Sequence, residues 1–267
     1  MRTLHTGSEQ LHATTEGGVG TIVFDNQARM NALSMGMQQA VVRTLDALDA
    51  DDEVRVVVLK GAGEKAFVSG ADISEFGEKR TSPEARAVYD ETAAAAGAAY
   101  GRFSKPLIAQ IRGWCLGGGL ITALRADIRI AADDARFGIP AARMGLGYAM
   151  GGVEQLEGLI GAARTAEILF TADRFDAHQA LAMGLVNRVV SVEDWDDTVT
   201  TMAVTIAGNA PLTIAAIKGA LQELARPTDR QDRDRVAALI EACFRSDDYR
   251  EGQKAFAEKR PPSFTGH

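Results

Sequence analysis

Cysteine is almost missing from this 267-residue chain: Cys115 and Cys243 are the only two, and they stand in unrelated contexts. Such a pair gives neither a disulfide framework nor zinc-ligand spacing, and no metal is expected. No apolar run approaches the roughly 18 residues of a membrane helix. The opening residues, Met1-Arg2-Thr3-Leu4-His5, hold no apolar signal segment, so a cytoplasmic protein is expected. Positive charge is in deficit, with 29 Lys and Arg against 36 Asp and Glu and a net charge of −7. That argues against general binding to nucleic acid or to an anionic membrane, while leaving room for a local cationic pocket. The four histidines fit no catalytic word: His5, His12 and His267 lie near the ends, and His178 sits on an ordinary amphipathic segment. No G-x-x-x-x-G-K word occurs. The run Gly145-Leu146-Gly147-Tyr148-Ala149-Met150 fails the dinucleotide spacing, because Met150 stands where the third glycine belongs.

What is present is an ordinary globular composition, 46% hydrophobic and 24% charged, enough for one large domain or one domain with an appendage. Residues 19–24 read as a strand from their β-branched and aromatic content. Ser34 is placed to cap a helix that carries Met37, Ala40, Val41, Thr44, Leu45 and Leu48 at helical spacing. Residues 54–59 are nearly continuous in apolar side chains, as in a strand covered on both faces of a parallel sheet. Phe67-Val68 predicts a short strand. An Ala-rich helix is predicted over 81–103, interrupted at Gly97, with Ser82-Pro83-Glu84 as its start signal. Strands are predicted over 105–111, 127–131 and 136–138, with a helix over 119–126 that buries Leu120, Ile121 and Leu124. Beyond Gly151 the pattern is helical: 153–160, 162–170, 176–183, a helix opened by Ser191 and running to 207, 211–225, 232–244 and a last helix after Asp247-Asp248. An extended piece at 185–190 breaks the series.

Two small-residue turns organise this pattern. Gly117-Gly118-Gly119 lies between an apolar strand and a helix, where free N–H groups and the positive end of the helix dipole favour an anionic oxygen. Ser69-Gly70-Ala71-Asp72 ends another apolar run. Two N–H groups from two separate turns suit a thioester carbonyl that gains charge as it becomes an enolate.

At this point the chain resembles the crotonase, or enoyl-CoA hydratase/isomerase, superfamily. The matching words are Arg29-Met30-Asn31-Ala32-Leu33, Ser69-Gly70-Ala71-Asp72-Ile73, Leu116-Gly117-Gly118-Gly119, Ala135-Arg136-Phe137-Gly138, Ala182-Met183-Gly184-Leu185-Val186 and Ala255-Phe256-Ala257-Glu258-Lys259-Arg260. They come in family order across nearly the whole chain. The resemblance implies an α/β fold: a ββα spiral core with an acyl-CoA site over 1–200, and a C-terminal helical trimerisation region over 201–267. It implies that the Ala71 and Gly118 N–H groups form the oxyanion hole. It also implies that Arg29, Asp72, Ile73, Phe256 and Lys259 contact coenzyme A, the last two often on behalf of a neighbouring subunit in a homotrimer or homohexamer. Coenzyme A enters as part of the substrate, and no separate cofactor is expected.

The resemblance breaks where hydratases carry two glutamates, which suit water addition because paired carboxyl pKa values can be pushed apart. Three residues after Gly118 the chain has Ile121, and directly after Phe137-Gly138-Ile139-Pro140 it has Ala141. Of the acids that could substitute, Asp127 lies nine residues past Gly118, roughly 13 Å along a helix, and Glu154 and Glu75 sit in first turns where a carboxylate suits the dipole. Tyr148, in the glycine-rich loop that edges the acyl pocket in the family, is a candidate to donate a hydrogen bond or shuttle a proton. The expected functions are an acyl-CoA enzyme working through an enolate, in fatty-acid or related acyl-CoA metabolism, or a non-catalytic acyl-CoA binding or delivery protein. RNA binding is disfavoured by the charge.

Overall fold

The computed structural model describes residues 1–75 and 82–267. Two sheets face each other. The larger runs in the order β1 (Arg2–Leu4), β2 (Leu11–Glu16), β3 (Val19–Phe24), β4 (Val56–Gly61), β6 (Leu107–Ile111), β8 (Ile128–Ala132), β11 (Arg188–Val190). Its first two pairings are antiparallel and the rest parallel. The smaller sheet runs β10 (Phe175–Asp176), β9 (Arg136–Gly138), β7 (Trp114–Leu116), β5 (Ala66–Val68). Among the described residues the helices are α1 (Met35–Asp49), α2 (Pro83–Arg102), α3 (Gly118–Leu124), α4 (Met150–Thr171), α5 (Ala177–Ala182), α6 (Val192–Ala207), α7 (Pro211–Leu224), α8 (Arg233–Arg245) and α9 (Asp247–Glu258). The expected spiral is present: β4–β5–α2, β6–β7–α3 and β8–β9–α4 each give one strand to each sheet and then a helix.

Alternation along the parallel strands explains why their sequences are apolar throughout. Leu59, Ala109, Ile111 and Ala131 face the space between the sheets, with Val68, Cys115, Leu120 and Phe137. Val56, Val58, Ile108 and Ile130 face outward, where Trp195, Val199 and Ala203 of α6 cover them. Each fully buried aliphatic or aromatic side chain contributes about 1.5–3 kcal/mol, so both faces matter to stability. Residue 200 lies inside α6, so the expected boundary at 200/201 cuts a helix that belongs to the sheet's outer cover.

The predicted capping serines all act. Ser34, Ser82 and Ser191 accept from Met37, Ala85 and Asp194 N–H, each worth about 1 kcal/mol. Thr81, the expected start of α2, lies outside the described residues. Gly97 does not interrupt α2; a Cβ there would stand 3.0 Å from the Arg125 guanidinium, so it is a packing glycine inside a continuous helix. α3 buries Leu120 and Ala123, while Ile121 and Leu124 are only half-buried. α4 begins at Met150, three residues before the expected start, and its break falls at Gly161, where φ is 78°. Between Ile111 and the triple glycine, Gly113 takes φ 62° and the chain adds β7 to the smaller sheet. Among the described residues no single helix is long and apolar enough to cross a membrane.

Candidate active site

The site lies where β3, β4, β5 and β7 end. Two asparagines tie these ends together. Asn31, at φ 57°, donates from Nδ2 to Ala62 O (2.9 Å) and Ala66 O (2.8 Å), and its Oδ1 accepts from Asn26 N–H. Asn26 Nδ2 donates to Ala32 O at 3.0 Å. Both are buried. Sequence reasoning missed them as individuals, although asparagine's tolerance of positive φ was an available signal.

This clamp holds Leu33 beside Ala71. Leu33 N–H donates to Gly70 O at 2.8 Å, and Asp72 N–H donates to Leu33 O at 2.9 Å. Successive peptide groups of extended backbone point to opposite sides, so Ala71 N–H faces away from Leu33 and toward α3. The triple glycine meets it there. A Cβ on Gly119 would fall 1.9 Å from Val68 O, so only glycine lets α3 lie on β5. Gly117 takes φ 51° and ψ −119° at the N-cap, and its N–H donates to Gly138 O at 2.8 Å. Gly118 then opens α3 with an N–H that has no acceptor one turn back. An ideal Cβ on Gly118 would lie 3.7 Å from Ala71 N, and one on Gly70 would lie 3.9 Å from Gly118 N. Among the described residues neither the Ala71 nor the Gly118 N–H has an acceptor. The two unpaired donors are therefore neighbours across a gap that a side chain on Gly118 would fill, an arrangement suited to an oxygen that gains negative charge.

A second wall is made of side chains. Tyr148 follows the turn at Gly145 (φ 63°) and packs against the core with Ala141. A Cβ on Gly152 would lie 2.9 Å from Tyr148 Cε1 and 3.6 Å from Ile121 Cδ1, so the phenol ring and the side chain at position 121 converge on one point. The Tyr148 hydroxyl is buried and has no hydrogen-bond partner among the described residues. Desolvation pushes its pKa up, so the proton stays on the oxygen. Gln155, one turn along α4 from Gly152, also buries its Oε1 without a partner among the described residues.

The acids considered as stand-ins are engaged elsewhere or exposed. Asp127 accepts from Leu107 N–H at 2.7 Å and from Lys218 Nζ at 3.0 Å. Glu75 accepts from Met35 N–H at 2.9 Å, in the first turn of α1. Glu154 is exposed on α4. Asp72 accepts from Ser74 N–H (3.0 Å), Ser74 Oγ (2.6 Å) and Asn26 Nδ2 (3.4 Å), with Arg29 Nε 3.7 Å away. Burial opposes its ionisation, but the Ser74 hydrogen bonds and the Arg29 charge outweigh that and hold the carboxyl below its usual range. Asp72 thus organises the turn, leaving Arg29 half-exposed and Ile73 exposed beside it.

Phe256 and Lys259 are not brought to this group. The C-terminal tail folds back on α9, with Phe264 beside Gly252, and Arg55 Nη2 holds Thr265 O at 3.2 Å. Arg55 precedes β4, at the end of that strand opposite to Gly61 and the Asn31 clamp. Phe256 is 88% exposed and edges an apolar groove of about 710 Å³ between α7, α8 and α9, lined by Ile217, Ile240, Phe244 and Tyr249 among others.

Comparison with known proteins is consistent across the chain. Residues 14–267 match the Enoyl-CoA hydratase/isomerase family. The short-chain-enoyl-CoA hydratase of Clostridium acetobutylicum is 35% identical over 251 residues, covering 92% of this chain and 93% of that protein. The methylmalonyl-CoA decarboxylase of Escherichia coli is 32% identical over 262 residues, covering 97% and 99%. The crystal structure of an enoyl-CoA hydratase/carnithine racemase from Magnetospirillum magneticum superposes with a TM-score of 0.91 at 35% identity, covering 97% of each chain. With that match in sequence and in fold, the chain belongs to the enoyl-CoA hydratase/isomerase, or crotonase, superfamily.

Proposed function

We propose that this member is an enzyme that grips the carbonyl oxygen of an acyl-CoA thioester with the Ala71 and Gly118 N–H groups and stabilises the enolate formed there. The observation that carries this reading is the pair of neighbouring, unpaired N–H groups from two separate turns. Such donors act most strongly where charge develops, and removing one typically costs about a hundredfold or more in rate. Arg29 supplies a cation for the coenzyme A phosphates, and Asp72 and Ile73 shape the turn against which the adenine lies. Phe256 and Lys259 serve a neighbouring copy, because their own chain holds them on a separate helix. That assigns the apolar faces of residues 211–267 to a homotrimer or homohexamer, with acyl-CoA as the small-molecule partner and fatty-acid or related acyl-CoA metabolism in the cytoplasm as the setting. The thioester brings its own coenzyme A and no further cofactor is required.

The enolate is common ground for hydration and decarboxylation of thioesters, the reactions that the two relatives' names record. Ile121 and Ala141 favour a second reading, a non-catalytic acyl-CoA binding or delivery protein. A turnover assay over saturated, unsaturated and carboxylated acyl-CoAs separates the two: consumption of any class supports the enzyme, and tight binding of all with consumption of none supports the carrier.

A further inference from the structure

Resting on the reading that Ala71 and Gly118 hold the thioester oxygen, we infer that the acyl chain lies along α3 and ends in a free carboxylate, held by the Arg125 guanidinium and the Tyr100 hydroxyl, so that the substrates are CoA thioesters of dicarboxylic acids. Arg125 is a cation without an anion. Among the described residues its side chain has no hydrogen-bonded or ion-paired partner, although it is half-buried and loses hydration. Other enclosed arginines are provided for: Arg129 donates to Leu185 O and Ala126 O at 2.6 Å each, and Arg112 pairs with Asp134 at 3.0 Å and Glu64 at 3.4 Å. A guanidinium withdrawn from water without a partner is costly, and its planar fork matches a carboxylate.

Its neighbour is equally unprovided. Tyr100 is 6% exposed, and its hydroxyl has no hydrogen-bond partner among the described residues. Arg125 lies near enough for its charge to act on the phenol, with no hydrogen bond between the two. Donors on two sides of a gap call for an acceptor-only group that bonds both, and a carboxylate is one. The gap also lies where an acyl chain can reach it. Gly118 and Arg125 are seven residues apart in sequence, roughly 10 Å along α3. Arg125 keeps helical backbone, so it shares a face with Ile121, which is one turn nearer the two N–H donors. On α2, Gly97 admits the guanidinium, since a Cβ there would stand 3.0 Å from Arg125 Nη2, and Ala93 and Ala96 continue that small-residue face toward the start of the helix. A chain gripped at Gly118 thus passes Ile121 and meets Arg125. Adipyl and suberyl chains have the matching reach.

The test is calorimetric titration of the purified full chain with adipyl-CoA and suberyl-CoA, against hexanoyl-CoA and octanoyl-CoA as chains of equal length with no terminal charge. At least one diacid thioester should bind about tenfold or more tighter than its control. Arg125→Gln should abolish that preference while leaving affinity for the controls within about twofold, and Tyr100→Phe should reduce it about threefold. Because Arg125 has no partner among the described residues to lose, Arg125→Gln should keep its Tm. Equal affinity for diacid and control in the unsubstituted protein overturns the inference alone and leaves the thioester grip standing. A preference that survives Arg125→Gln also overturns it, and a lowered Tm in that variant with the preference intact assigns the arginine to the fold. Failure to bind any of the thioesters overturns both readings.

Discussion

The two walls of the site are built by different means. One is backbone, fixed by Asn26, Asn31, the Leu33–Ala71 bridge and three glycines, and among the described residues its Ala71 and Gly118 N–H groups have no acceptor. The other is side chain, and there Ile121, Ala141 and Tyr148 leave a hydroxyl without a partner among the described residues. The difference separates gripping a thioester from choosing what happens to it. The first is locked into the fold, and a single residue on the second can change without moving a strand.

The largest expected effect comes from adjacent glycines on the backbone wall. Gly119→Ala places a Cβ 1.9 Å from Val68 O, a backbone atom that cannot swing away. It should destabilise the protein by about 3 kcal/mol or more, at the upper end of overpacking costs, read as loss of soluble protein or a steep fall in Tm. Gly118→Ala meets only ordinary contacts, the nearest at 3.7 Å, and should keep its Tm. Its methyl group stands over Ala71 N, so acyl-CoA turnover should fall about a hundredfold. Equal Tm losses in the two variants would erase the distinction drawn between fold and grip.

A smaller effect is expected on the side-chain wall. Ile121→Glu combined with Ala141→Glu should confer measurable hydration of crotonyl-CoA, monitored by loss of the conjugated thioester absorbance. If the doubly substituted protein folds and binds crotonyl-CoA but adds no water, the grip alone does not set the stage for family chemistry.

The glycines of the backbone wall were legible in the sequence, its two asparagines were not, and the side-chain wall was legible only by half. Ser34, Ser82 and Ser191 announced their helices because a cap acts within three residues of itself. Glycine triplets and apolar runs are likewise local signals. The smaller sheet was legible in part: β5 and β9 were expected from the sequence, whereas β7, at three residues, is too short to show alternation and its partners lie far away in sequence. Tyr148 sits among glycines that read as an exposed loop. Its burial depends on Gly152 making room four residues later, which no pattern of polarity reveals. That positions 121 and 141 hold isoleucine and alanine, by contrast, is plain in the sequence, and every acid weighed as a substitute has an address elsewhere in the fold or stands exposed.

The weakest effect lies far from both walls. Glu251 pairs with Arg260 through two oxygens, at 2.6 and 2.8 Å, and accepts from Ser263 N–H at 2.9 Å. The Arg260 hydrogen bonds, with the Ser263 amide, hold its pKa at about 2 against an ordinary 4.5. A lowered carboxyl pKa stabilises the folded tail above about pH 4.5, and that contribution is lost as pH falls toward 2. Amide exchange at Ser263 should therefore accelerate, relative to intrinsic rates, between those limits. Turnover measured above pH 5 should be indifferent to Glu251→Gln if the tail plays no part in the grip.

The most direct measurement is a crystal structure of the protein with a non-hydrolysable acyl-CoA analogue. The account predicts the carbonyl oxygen about 2.7–3.1 Å from both Ala71 N and Gly118 N. An oxygen bound by neither, or by one alone with the other N–H aimed at a different cavity, would contradict it.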